Sequence, residues 1–194
     1  MQKLSADAGF GPAADQPSAW IEHFSPLVPT GGRVLDLACG SGRHARSFLK
    51  KGHPLTALDR DVSGLQDLND NPWIEILQSD LEAGEPWPLG ERTFACIVVV
   101  NYLYRPLFPA IARALSPSGV LLYETFSLGH EKFGRPRNPD YLLRPGELLS
   151  AFGERLSVLA FEQGRIERSS GPAVKQFLCA INGPVEDALL PALP

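Results

Sequence analysis

Cysteine is scarce in this chain of 194 residues: Cys39, Cys96 and Cys179, odd in number and far apart. No C-x-x-C pair exists, so neither a disulfide framework nor a zinc site is expected, and no metal is assigned. Cys96 and Cys179 lie in apolar runs and read as small core residues, and a reducing cytoplasm is the expected compartment. Long hydrophobic runs are also missing. The longest, residues 95–100, falls far short of the ~20 residues of a membrane helix and suits a buried strand. Residues 1–10 carry no apolar segment after Lys3, so no secretory signal is expected. Positive charge is not in excess: the net charge is -4, which gives no global attraction for nucleic acid or an anionic membrane. Neither is an expected partner. Nothing in the sequence sets the oligomeric state.

What is present is enough for one domain with a full core: 44% apolar residues, with 21% charged, a balance that excludes a disordered chain. Residues 1–14 read as an N-terminal arm and residues 15–194 as a single domain. The 18 glycines and 18 prolines fall between apolar runs, as in a chain of many short elements. A helix capped by Asp15 or Ser18 carries Trp20, Phe24 and Leu27 on one face. Strand 34–39 follows, then a glycine turn at 40–42 and a helix with Ala45, Phe48 and Leu49 inward, closed by Gly52. Strand 55–58 ends in Asp59. Val62, Leu65 and Leu68, spaced by three, predict a helix. Strand 73–77 ends at Ser79 and Asp80, and strand 94–100 is apolar throughout, the mark of a strand buried on both faces. Leu107, Phe108, Ile111, Ala112 and Leu115 form one amphipathic face. Residues 117–119 turn into strand 120–126. Trp20, Trp73 and Trp87 read as packing residues, and His44 as one that packs or hydrogen-bonds locally.

This alternation predicts an α/β fold with a doubly wound, mostly parallel sheet. The pattern then changes. Residues 127–143 are a long polar loop, the length of a lid. A short helix at 145–152 and two antiparallel strands, 156–161 and 174–181, complete a seven-stranded sheet with a C-terminal hairpin.

The strongest chemical signal is V-L-D-L-A-C-G-S-G-R-H-A, residues 34–45. Gly40 and Gly42 allow a sharp turn and close approach of a ligand, and the helix beyond presents free N–H groups. The same residues match the dinucleotide fingerprint G-x-G-x-x-A. Asp36 helps to choose between ligands. A pyrophosphate about 4 Å away would cost roughly 4 kcal/mol at an effective dielectric of ~20, whereas the ammonium and sulfonium of S-adenosylmethionine would be attracted. The competing reading makes Asp36 a cap for the turn.

With these residues the chain resembles the class I S-adenosylmethionine-dependent methyltransferases, over about residues 18–181. The resemblance implies S-adenosylmethionine as cofactor, with Asp36, Ala38, Gly40 and Gly42 around the first turn. Asp59 would take both ribose hydroxyls, with Arg60 beside it. Asp80 would meet the adenine amino group, next to the Leu81 N–H, and Asn101 would complete the set from the end of the fourth strand. The terminal hairpin is similar to the strand pair that separates this family from dehydrogenases. The competing reading of Asp59 and Asp80 is that of ordinary polar strand ends.

On the acceptor side, Asn101-Tyr102-Leu103-Tyr104 lacks the prolines of the amino-methyltransferase tetrad, which weakens a DNA-base or glutamine-amide acceptor. Tyr102, Tyr104 and His130 are the catalytic candidates, with Glu124 a further acid–base group. Arg135, Arg137 and Tyr141 are the substrate candidates, since guanidinium forks match oxyanions. The competing reading is a solvated lid whose arginines pair with Glu131, Asp140 and Glu147. Residues 142–148 and the strands after them are loosely similar to tellurite-resistance-type small-molecule methyltransferases. The expected activity is methyl transfer to a small-molecule acceptor, an anionic one included. A protein or RNA acceptor and a non-catalytic binder of the cofactor are the alternatives, and Asp36 and the hairpin disfavour a nicotinamide oxidoreductase.

Overall fold

The computed structural model describes residues 16–192, so the expected arm at 1–14 lies outside the described residues. Seven strands form one sheet: β1 (Val34–Leu37), β2 (Leu55–Asp59), β3 (Ile74–Gln78), β4 (Phe94–Val100), β5 (Leu115–Phe126), β6 (Ser157–Ile166) and β7 (Ala173–Ile181). Their order is β3-β2-β1-β4-β5-β7-β6. The first five run parallel, and β7 is antiparallel to both of its neighbours. The doubly wound sheet with a terminal antiparallel pair is therefore the fold.

Side chains alternate along each strand, so the two faces fill separately. Leu35, Leu37, Ile97, Val99 and Tyr123 pack with Leu148 and Phe152 on one face. Val34, Val98 and Leu122 pack with Ala45 and Phe48 on the other. Asp36 shares the Val34 face by the same alternation and so points toward helix α2 (Arg43–Lys50). Each fully buried leucine or valine contributes about 1.5–3 kcal/mol.

Several boundaries differ from expectation for identifiable reasons. Ser18 stands at the N-cap position of helix α1 (Ala19–Phe24) without a side-chain cap bond, and the helix buries Ile21 and Phe24, while Trp20 and Leu27 only flank that cluster. Residues 63–68 form a 3₁₀ helix rather than an α-helix. A repeat of three is the period of the tighter helix, so Leu65 alone is buried there. Helix α3 is short (Phe108–Arg113), and Leu115 already belongs to β5. β6 continues to Ile166, which shortens the hairpin connection to residues 167–172. Trp73 is 56% exposed, against its expected packing role. Gly52 closes α2 as expected, its N–H donating to the Leu49 carbonyl at 3.0 Å.

The loop at 127–143 is pinned at its base. Ser127 bridges Leu143, the Leu143 N–H donates to Phe126 O at 2.9 Å, and the Leu128 N–H donates to Leu143 O at 2.9 Å. Leu142 and Leu143 are buried. Arg105 clamps the same base. It makes a two-pronged contact with Glu147 (2.6 and 2.9 Å) and donates to the carbonyls of Asp140 (2.7 Å) and Leu142 (2.9 Å). Glu147 opens helix α4 (Glu147–Phe152). No helix of the described residues is long and apolar enough to cross a membrane.

Candidate active site

In an open α/β sheet, ligands lie outside the carboxyl ends of the strands where the strand order reverses. Here that point falls between β1 and β4. The residues that leave these two strands carry the strain of the site: Ala38 (φ 55) and Asn101 (φ 58) both adopt the left-handed conformation without being glycine. Such backbone persists only where its surroundings hold it, and it clusters at functional sites.

The two glycines of the turn do different work. Gly40 has φ +53, and a Cβ added there would meet nothing within 4 Å. It bends the chain and leaves open space above the backbone. Gly42 has φ +77, and a Cβ there would lie 2.2 Å from Leu65 Cδ2. Its place is dictated by packing against the 3₁₀ helix.

Asp59, 9% exposed at the end of β2, is fixed from both sides. Oδ2 accepts from the Gly40 N–H at 2.8 Å and Oδ1 from the Asp61 N–H at 3.0 Å. Each oxygen keeps a lone pair for a hydroxyl, so the carboxylate is oriented before any ligand arrives. Asp80 is exposed, and its Oδ1 accepts from the Glu82 N–H at 3.0 Å, a side-chain turn that holds Leu81 between them. Arg60 is exposed, its carbonyl accepting from Gln78 Nε2 at 3.0 Å.

Asp36 departs from a simple charge-attraction role. It is buried, and Oδ2 accepts from the Ala45 N–H at 2.9 Å, in the first turn of α2. The capping reading is therefore what the geometry contains. Burial pushes the carboxyl up to about 7; the Ala45 N–H and Arg43 oppose that rise, and Asp59 adds to it. Near neutral pH the group is only partly ionised.

The catalytic candidates change roles. The Tyr102 hydroxyl is buried without a hydrogen-bond partner among the described residues. Burial, then Glu82, Tyr123 and Asp80, push its pKa well up, which makes it a proton donor and not a base. It is an unfilled donor near the Asp80 turn. Tyr104 is half-buried against the core cluster, and its carbonyl accepts from the Leu107 N–H at 3.0 Å, a packing position. His130 is 1% exposed, and its ring stacks on Phe126 at 4.2 Å. Its Nε2 lies 2.9 Å from the Arg135 carbonyl, which can only accept; Nε2 therefore carries the hydrogen, and Nδ1 is left bare and without a partner among the described residues. Burial, then Arg168 and Lys175, hold the ring neutral. His130 braces the loop from within.

Arg135 and Arg137 are exposed and Tyr141 is half-buried. Among the described residues none of these side chains makes a hydrogen bond or ion pair at the strand ends. Nor do the arginines take the expected carboxylates. Glu131 accepts from the Gly129 N–H, and Glu147 belongs to Arg105.

The charges that do reach the rim are Glu124, an expected acid–base candidate, and Lys175, which sequence reasoning passed over. Lys175 Nζ and Glu124 Oε1 form an ion pair at 2.7 Å, each side chain 4% exposed. The Ser18 hydroxyl donates to Glu124 Oε2. The Ser18 N–H donates to Nε2 of buried His44 at 3.2 Å, whose pKa is driven down to about 3 by burial, then by Arg43 and Lys175. The available signal was Lys175 itself, a lysine inside the apolar run 173–181. Among the described residues no group of three or more His, Cys, Asp or Glu is placed to hold a metal.

The oriented Asp59, the open space over Gly40, the exposed Asp80 turn and the unfilled Tyr102 hydroxyl fit an adenosyl ligand spread over β1 to β4. Comparison with known proteins bears on the domain and the fold. Residues 34–119 match the model of a methyltransferase domain. The ribosomal protein L11 methyltransferase of Bordetella parapertussis is 35% identical over 123 residues, 61% of this chain and 38% of that protein. The ubiquinone biosynthesis O-methyltransferase of Paracidovorax citrulli is 28% identical over 123 residues, 59% of this chain and 51% of that one. The chain spans about half the length, or less, of these relatives. Among solved structures, TehB from Haemophilus influenzae superimposes with a TM-score of 0.67 at 16% identity, over 84% of this chain and 61% of that one. At that identity the likeness speaks for the fold alone.

Proposed function

We propose that the chain is a class I S-adenosylmethionine-dependent methyltransferase that transfers a methyl group from that cofactor to a small-molecule acceptor. The observation that carries this reading is the Asp59–Gly40 pair: a buried carboxylate, locked by main-chain N–H groups, beside a turn with open space above it. S-adenosylmethionine, when bound, supplies a methyl group already activated on a sulfonium. The protein's part is then to hold and orient.

Asp59 takes the ribose hydroxyls, the Asp80–Leu81 turn meets the adenine edge, and Asp36 with Ala38 and Gly40 lines the methionyl end. Arg60 flanks the ribose, and Asn101 closes the floor at β4. Of the acid–base candidates Glu124 stays at the rim, bound to Ser18 and Lys175. Tyr102 and His130 each retain their hydrogen. A proton released by the acceptor leaves to Glu124 or to water.

A small acceptor is supported by the closure of the rim, with Ser18 tied to Glu124 on one side and the pinned 127–143 loop on the other. The ubiquinone-pathway relative points the same way, while the relative named for ribosomal protein L11 keeps a protein acceptor as the second reading. The deciding experiment has two parts. Calorimetric titration should show S-adenosylhomocysteine binding and no NAD binding. Asp59→Ala should weaken S-adenosylhomocysteine roughly ten- to a hundredfold, the worth of lost charge-assisted hydrogen bonds. Radiolabelled methyl transfer to small-molecule pools, cell protein and tRNA then identifies the acceptor class. NAD binding, or an unchanged Asp59→Ala, would overturn the cofactor assignment; label in protein or tRNA alone would overturn the small-molecule one.

A further inference from the structure

Two cations meet at one phenyl ring beside the proposed acceptor space. Lys175 Nζ lies 5.0 Å from the centroid of Phe126, and the Arg168 guanidinium lies 5.6 Å from the same centroid. Lys175 is paired with Glu124. Arg168 is not matched in this way: among the described residues it forms no ion pair, and its hydrogen bond is a long one, Nε to Gly171 O at 3.4 Å. Its neighbours tell the same story. His130, Lys175 and Arg168 are each driven away from carrying charge, first by burial; Glu124 opposes this at Lys175 and Arg168 and the Arg135 carbonyl at His130, while the neighbouring cations add to it. Like charges gathered in a half-buried space repel, and an anion relieves that repulsion while gaining bidentate donors from the guanidinium.

Strand order places this cluster well away from the adenosine residues. Asp59 ends β2, and Lys175 begins β7, four strand spacings across the sheet, or roughly 19 Å at 4.7–4.9 Å per strand. The loop arginines expected to bind an anion, Arg135 and Arg137, face solvent instead.

We propose that Arg168 and Lys175, over Phe126, form an anion-binding subsite that takes a carboxylate or phosphate-like group of the methyl acceptor. The name of the ligand rests on the methyl-transfer reading; the anion site itself does not. Glu124 holds Lys175 in place, so the lysine supplies field and one donor while Arg168 supplies the fork. A carboxylate here has two sources, the acceptor or the methionyl end of the cofactor, and the test separates them.

The probe is inorganic phosphate, titrated by thermal shift against sodium chloride at matched ionic strength, with and without saturating S-adenosylhomocysteine. The expected result is a rise in melting temperature specific to phosphate, kept when S-adenosylhomocysteine is bound, and about tenfold weaker in Arg168→Gln, as loss of one charge-assisted contact implies. Arg168 is half-buried in a connection, so this variant folds more securely than one at Lys175, and calorimetry with S-adenosylhomocysteine checks it. Arg168→Gln should bind S-adenosylhomocysteine and 5′-methylthioadenosine, which lacks the carboxylate, as the wild type does. Equal phosphate stabilisation in wild type and variant would overturn the subsite. So would a phosphate effect erased by S-adenosylhomocysteine, or a variant weakened for S-adenosylhomocysteine but not for 5′-methylthioadenosine; both would give these cations to the cofactor. Failure of the wild type to bind S-adenosylhomocysteine would instead overturn the methyl-transfer reading and leave the phosphate result standing.

Discussion

Asp36→Asn separates the two jobs of the buried carboxyl. The asparagine oxygen still accepts from the Ala45 N–H, so the cap on α2 survives, but the titrating charge is gone. In the wild type, folding lifts this carboxyl from 3.8 to about 7. A raised pKa means that the folded chain holds the proton more tightly than the unfolded one. The wild type therefore loses stability as pH rises from about 4 to about 7, and the loss is complete above that window. Three units at 1.36 kcal/mol each set a ceiling of about 4 kcal/mol. The new amide hydrogens of asparagine need a partner and subtract about 1–3 kcal/mol at every pH, so the informative quantity is the slope. Urea unfolding followed by tryptophan fluorescence, at steps from pH 5 to 8, should give a wild-type stability that falls relative to Asp36→Asn by about 2–3 kcal/mol over that range. Parallel curves would refute the reasoning and mean that the folded carboxyl titrates in the ordinary range. A second arm uses the ligand. Cationic S-adenosylmethionine should gain affinity as pH rises through 7 in the wild type, while Asp36→Asn should show no such gain.

Gly40→Val should cost about 1–2 kcal/mol through its left-handed backbone and abolish S-adenosylhomocysteine binding. Gly42→Ala should cost more, since overpacking against Leu65 adds about 1–3 kcal/mol; urea unfolding of both checks the order. Arg105→Ala removes four contacts at the foot of the 127–143 loop and, with partial exposure discounted, should destabilise by about 1–3 kcal/mol. Hydrogen exchange should speed up at residues 138–147 while β4 stays protected.

The parallel half of the sheet was legible because its strands are short, apolar throughout and set between glycines and prolines, a pattern that burial on both faces imposes. The turn at residues 34–45 was legible because its chemistry is local. What escaped notice depends on distance along the chain. Glu124 and Lys175 are 51 residues apart and meet only because β7 pairs with β5. Arg105 and Glu147 are 42 apart and join across the base of a loop. In the loop, Arg135 and Arg137 read as an anion site in one dimension, with a solvated lid as the competing reading; the backbone there is held by His130 and the Leu143 bridge, and the arginines are exposed. Asp36 was read first by its charge, with the cap as the competing reading, although its alternation with Leu35 and Leu37 already turned it toward α2. Trp73 illustrates the reverse error, a large apolar side chain taken for core at the start of an edge strand.

The reversed direction of β7 has a consequence for how such a protein diversifies. Parallel strands send only their last residues to the functional rim, and each last residue is committed to the turn that follows. A strand running the other way brings its first residues there, together with the tip of the hairpin before it. Residues 167–175 thus lie at the rim toward one margin of the sheet, remote along the chain from the turns at residues 38–42, 59–61 and 80–82. Insertions or exchanges in that connection alter its side of the rim while leaving those turns as they are. On the methyl-transfer reading proposed above, acceptor preference and donor binding can then drift independently.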